Sequence, residues 1–152
     1  MLSRVRLLFL CTGNSCRSQM AEGWTRHLKG DQIEVFSAGT HPSQLDPRAR
    51  AAMAEVGVDI SAQTSKPVSA VLEATPDHVV TVCDGAREAC PIFPGHAIVH
   101  HVGFDDPPHL AREAGSDAEA LRHYRRVRDE IRAFVDTLPD SLCLPDSPGD
   151  TR

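Results

Sequence analysis

Four short apolar runs, separated by stretches with helical spacing, organise this chain. Val5 to Leu10 is apolar at every position but Arg6, the mark of a strand buried on both faces. Ile33-Glu-Val-Phe36, His78 to Val82 and Ala97 to Val102 are the other three strand candidates. Met20, Ala21, Trp24 and Leu28 recur at helical spacing, and Gly30 supplies a stop. Asp46-Pro47 reads as an N-cap followed by proline in the first turn, opening a helix with Ala49, Ala52, Met53 and Val56 on its apolar face, ended by Gly57. Ser116-x-x-Glu119 is a capping box. It opens the longest helix, whose predicted face is Leu121, Tyr124, the Arg128 stem, Ile131, Val135 and Leu138, before Pro139 closes it. Strands alternating with helices predict a single α/β domain over residues 1–138, a four-stranded parallel sheet with helices on both faces. Residues 139–152 are polar and rich in proline, and are expected to form a disordered tail.

In such sheets ligands bind at the carboxyl ends of strands. Cys11, Ser37, Cys83 and the stretch after Val102 all follow strand ends, so they can converge in space. Composition narrows the partners. With 152 residues, 41% hydrophobic and 24% charged, the chain is an ordinary globular domain. Its net charge of −5 and lack of a basic block argue against nucleic acid, and require any anion site to be a local positive pocket. No stretch nears the ~20 apolar residues of a membrane span, and no signal peptide is recognised, so a cytoplasmic location is expected. The five cysteines, an odd number, do not form a disulfide framework and read as catalytic or redox thiols.

Cys11-Thr-Gly-Asn-Ser-Cys16-Arg17-Ser18 lies between the first strand and the first helix. Cys-x5-Arg alone arises by chance in many chains, and a buried structural cysteine is the bland alternative. The strand before it, Gly13 and Asn14 within it, and the helix after it favour a nucleophile facing an oxyanion cradle. Backbone N–H groups of Thr12, Gly13, Asn14, Ser15, Cys16, Arg17 and Ser18 can converge on one point, toward which the helix also aims its positive end. The Arg17 guanidinium matches two oxygens of a tetrahedral anion. The same field predicts a depressed pKa for Cys11.

Two further features carry chemistry. Cys83 and Cys90 lie seven residues apart, which is not a zinc spacing. Seven helical steps span about 10 Å, whereas a disulfide needs Cα atoms within about 7 Å. A helical segment here would have to unwind, for which Gly85 provides a weak point, before the two thiols could bond, which is the behaviour of a redox switch; two unrelated small hydrophobes fit the spacing as well. In Gly103-Phe-Asp105-Asp106-Pro107, Asp106 is the candidate general acid, since Pro107 restricts it to extended geometry. A plain Asp-Pro turn is the alternative.

Together these pieces resemble the thioredoxin-coupled arsenate reductases, which share the fold of low-molecular-weight protein tyrosine phosphatases. The resemblance runs from Val5 to about Leu138 and rests on residues 11–24, Ser37-Ala-Gly39, residues 79–83, Cys90-Pro-Ile92 and residues 103–107. It implies that Cys11 attacks arsenate held by the loop and Arg17, and that Asp106 protonates the departing oxygen. Cys83 then attacks Cys11, arsenite leaves, and Cys90 moves the disulfide to Cys83–Cys90 for reduction by thioredoxin. Phosphate and sulfate are the implied analogues of arsenate, and a monomer is expected. No tightly bound cofactor is implied. Some family members hold potassium through an Asn, a Glu, a Ser and an Asp. Asn14, Glu22 and Ser37 match, but Lys66 stands at the fourth place, so its ammonium is expected to replace the cation and order Asn14 and Glu22.

A phosphotyrosine phosphatase is the competing enzyme. Pro108-His109 follows Asp106-Pro107 where that branch carries an aromatic residue, and the chain has one Tyr and one Trp. A thiol redox sensor or a metal protein is the alternative of another class. The eight histidines are scattered, and His100-His101 would point to opposite faces of a strand, so no metal site is expected.

Overall fold

A computed structural model describes residues 4–88, 90 and 97–143. The four expected strands form, as β1 (Val5–Cys11), β2 (Ile33–Gly39), β3 (His78–Thr81) and β4 (Ile98–His101). They make one parallel sheet in the order β2-β1-β3-β4. Leu7, Leu8, Phe9 and Leu10 of the central β1 have no exposed surface. Successive strand side chains point to opposite faces, so the sheet is covered on both. Each such side chain stabilises the fold by roughly 1.5–3 kcal/mol.

The helices are α1 (Arg17–Lys29), α2 (Pro47–Ala54), α3 (Asp84–Glu88), α4 (Pro107–Ala111) and α5 (Asp117–Val135). Helix α1 packs on β1, β2 and α5, and α2 packs on α1 and α5. Asp46 caps α2 as expected, its carboxylate accepting from the Arg48 N–H at 2.9 Å. Ser116 caps α5 by accepting from the Glu119 N–H at 3.1 Å. The return half of that capping box is displaced by one residue: the Glu119 carboxylate accepts from Gly115 N–H at 2.8 Å.

Three expectations need correction. Val56 lies beyond the end of α2 and is 36% exposed, because the chain turns at Gly57, whose φ is +79°. Leu138 is buried, but in the turn after α5 rather than on the helix. The domain does not stop at residue 138: Asp140–Cys143 forms a 3₁₀ turn that buries Leu142. The remainder of the expected tail, 144–152, lies outside the described residues. Strand β4 forms as expected and lies at the sheet edge, with Ile98 at 42% and Val99 at 38% exposure. No helix among the described residues is long and apolar enough to cross a membrane.

Candidate active site

The strand order reverses between β1 and β3, and a crevice opens there at the carboxyl ends. Leu10 is paired with Thr81, and Val82 N–H donates to the Leu10 carbonyl at 3.0 Å. Cys11 and Cys83 therefore emerge from adjacent strands one and two residues past this pair. A cleft of about 440 Å³ lies over them, with Cys11, Arg17, Cys83, Asp106, Pro108 and Arg112 among its walls.

Residues 12–16 form the floor. Asn14 takes a left-handed conformation, φ +48°, and folds back so that its N–H donates to Cys11 Sγ at 3.2 Å. Every carbonyl from Cys11 to Cys16 accepts a bond from outside the loop. Thr40 N–H serves Cys11 (3.1 Å), His41 N–H serves Thr12 (2.8 Å), and Ser43 N–H serves Gly13 (3.0 Å). Gln19 Nε2 serves Asn14 (2.9 Å), Asp46 N–H serves Ser15 (2.9 Å), and Met20 N–H serves Cys16 (2.8 Å). The opposite ends of these peptides carry the site. The N–H groups of Gly13, Ser15, Cys16, Arg17 and Ser18 take no acceptor among the described residues. Clustered at the start of α1, they make a nest of the kind that can hold an anion. Gly39 lets β2 lie against it: a Cβ there would meet the Thr12 carbonyl at 2.5 Å.

Cys11 is 4% exposed, and its Sγ is 2.9 Å from Ser18 Oγ. The expected depression of its pKa is overturned. Burial pushes the thiol up, and the Ser18 and Asn14 hydrogen bonds and the Arg17 charge pull against burial without overcoming it. Ser18 Oγ accepts from Asn14 Nδ2 at 2.8 Å, which leaves its own proton for Cys11. Asn14 Nδ2 also donates to Ser37 Oγ at 3.0 Å, and Ser37 donates to Glu22 Oε1 at 2.5 Å. A polar chain thus runs from buried Glu22 to the nucleophile. Ser18→Ala is expected to move the pH profile of Cys11 alkylation by iodoacetamide to higher pH. The rate at pH 7 should fall roughly fivefold, the worth of one hydrogen bond; an unmoved profile would show that Ser18 does not support the thiolate.

Lys66 acts differently from expectation. Its backbone N–H, not its ammonium, holds Asn14 Oδ1 at 2.9 Å. The ammonium donates to Thr64 O at 2.9 Å and stands 3.9 Å from Glu22 Oε1. The closer cation on Glu22 is Arg26, at 2.6 Å, one helical turn further along α1 and not foreseen.

The Arg17 guanidinium reaches over the cleft and donates to Phe104 O at 2.9 Å, with its other end 3.8 Å from Asp106 Oδ2. Asp105 turns away to pair with Arg126 of α5 at 3.0 Å, which leaves Asp106 as the carboxylate facing the cleft. Cys83 caps α3: its Sγ accepts from Ala86 N–H at 3.4 Å and lies 3.4 Å from Thr12 Oγ1. A Cβ on Gly85 would meet Thr12 Oγ1 at 2.9 Å, so this glycine lets α3 approach the loop. Cys90 is half-buried, two residues beyond α3, and is not among the cleft-lining residues. Cys16 lines the cleft at 3% exposure; burial, then the Asp46 charge, pushes its thiol well up.

Residues 6–143 match the family model for low molecular weight phosphotyrosine protein phosphatase. The arsenate reductase of Bacillus subtilis (strain 168) is 50% identical over 125 residues, covering 82% of this chain and 88% of that protein. A solved arsenate reductase in a phosphate-binding state superposes with a TM-score of 0.70 at 33% identity, over 88% of this chain and 95% of that one. A thioredoxin-dependent arsenate reductase of Corynebacterium glutamicum superposes with a TM-score of 0.65 at 28% identity, over 93% of this chain and 65% of that one.

Proposed function

The chain belongs to the low molecular weight phosphotyrosine protein phosphatase family, and we infer that within this family it is an arsenate reductase, turning arsenate into arsenite. One observation carries the reading: besides the loop thiols Cys11 and Cys16, a thiol from the neighbouring strand end, Cys83, opens on the oxyanion cleft beside Arg17. Ester hydrolysis by a covalent route needs only the first thiol. Reduction needs a second, because two electrons must leave the protein.

In the proposed mechanism the tetrahedral anion sits in the nest, two of its oxygens on Arg17. Cys11 attacks arsenic; an S–As bond forms, an As–O bond breaks, and the oxygen leaves as water. The thiol supplies one of its protons and Asp106 the other. Cys83 then attacks Cys11 Sγ. The S–As electron pair falls to arsenic, which passes from As(V) to As(III) and leaves as arsenite. Cys90 attacks Cys83 Sγ and frees the Cys11 thiolate, leaving a Cys83–Cys90 disulfide. The dithiol of thioredoxin reduces it. A five-residue α3 is a small structure to melt for this exchange.

The cleft wall carries no aromatic side chain among the described residues, which disfavours a phenolic ester as the natural substrate. The donor set around Glu22 does not fit potassium either. Its carboxylate already accepts a hydrogen bond from the Ser37 hydroxyl and faces Arg26 and Lys66. Activity is therefore expected to be flat across a titration of potassium against sodium at constant ionic strength; activation by potassium would show that a cation displaces Lys66. We take the working unit to be a monomer.

The deciding assay is arsenate-dependent NADPH consumption with thioredoxin and thioredoxin reductase. Sustained turnover supports the reductase reading. Absent turnover together with hydrolysis of a small phosphate ester would hand the site to the phosphatase reading.

A further inference from the structure

The charged groups that line the cleft are Arg17, Asp106 and Arg112. Arg17 is nearly enclosed, with 14% of its side chain exposed, and is tied to Phe104 O and faced by Asp106. Without Arg112 the cleft would offer an anion one guanidinium, that of Arg17, with the Asp106 carboxyl group 3.8 Å from it. The incoming anion would also meet a protein whose net charge is −5.

Arg112 alters that balance. It follows α4 directly, is exposed, and its backbone N–H is held by the carbonyls of His109 and Leu110. Helix α4 packs on α5, and the Asp105–Arg126 pair fixes the loop before it. The main chain of Arg112 is thus set at the rim, while its guanidinium makes no ion pair among the described residues. We propose that Arg112 is a second oxyanion-recognition residue, which draws a tetrahedral dianion into the cleft and passes it to Arg17 and the nest. Placed on the cleft wall, a positive charge with no ion-pair partner among the described residues focuses the local field, and such fields change capture rates by about 10-fold or more. The inference rests on the arsenate reductase reading for its substrate but not for its chemistry, since phosphate has the same shape and charge.

The test compares wild type with Arg112→Ala, Arg112→Glu and Arg112→Lys. Inorganic phosphate is titrated as a protectant of Cys11 against iodoacetamide, at low and at high salt. Kinetics with arsenate are measured alongside. For Arg112→Ala the half-protecting phosphate concentration should rise roughly tenfold at low salt, with the gap narrowing at high salt. Arg112→Glu should be worse and Arg112→Lys close to wild type. With arsenate the loss should fall on KM more than on kcat. Protection by phosphate that is the same in all four proteins overturns the proposal, as does a loss confined to kcat. If wild type fails to reduce arsenate while phosphate protection still depends on Arg112, the substrate reading fails and the capture role stands.

Discussion

Cys83→Ser should abolish arsenate turnover with thioredoxin, by roughly a thousandfold or more, as loss of one member of a nucleophilic unit does. The nest, Arg17 and Cys11 remain in this variant, so the first covalent step survives. What is lost is the second thiol beside the cleft, and with it the only proposed route by which the S–As electron pair reaches arsenic. The serine oxygen keeps the capping bond from Ala86 N–H that Cys83 Sγ now accepts at 3.4 Å, so α3 should persist. Hydrolysis of a small phosphate ester, which uses Cys11 and not Cys83, should stay within about threefold of wild type. The paired assays separate a redox role from a structural one. Parallel loss of both activities would mean that Cys83 supports the fold of the site, and more than a tenth of wild-type arsenate turnover would remove it from the relay.

Arg17→Lys tests shape rather than charge. Lysine keeps the positive charge but cannot bond Phe104 O and also present two parallel N–H groups to one anion. The loop of residues 103–106 would lose its tie to the nest, and Asp106 would lose the cation 3.8 Å from its carboxylate. We expect kcat/KM for arsenate to fall roughly a hundredfold, the scale of one lost oxyanion donor. Phosphate should protect Cys11 less well in the same variant. A change under fivefold would show that charge alone suffices at this position.

Much of this architecture was legible in the chain because it is written locally. The run Val5 to Leu10, the Asp46-Pro47 start and the Ser116 cap obey rules spanning a few residues, and each formed where expected. Cys11, Arg17, Cys83 and Asp106 could be grouped because strand ends of a parallel sheet gather on one side. What escaped was non-local. Tyr124 OH donates to Asp46 at 2.5 Å beneath the nest across 78 residues, and no short pattern announces such a pair. Arg26 is one turn from Glu22, a spacing that could have been noticed. Arg112 needed α4, a five-residue helix too short to show a period. The pKa of Cys11 was misjudged because sequence displays the charges near a thiol but not the water it loses. The edge position of β4 was equally hidden, since an apolar run reads alike at the centre and the border of a sheet.

The tethering of the nest carbonyls has a consequence for how such a site is inherited. Four of the tethers come from main-chain N–H groups of Thr40, His41, Ser43 and Asp46, in or bordering an irregular segment that is mostly exposed. The side chains of Thr40, His41 and Ser43 are largely irrelevant to those bonds, so substitutions there can drift without disturbing the cradle, whereas Asp46 also caps α2 and accepts from Tyr124. Proline is the residue those four positions refuse, because it has no N–H to give. Pro42 and Pro47 occupy places in the same stretch where none of the tethers falls. The shape that selects the anion is therefore recorded less by which residues are present than by where one residue type is forbidden, a signal that ordinary measures of similarity weigh lightly.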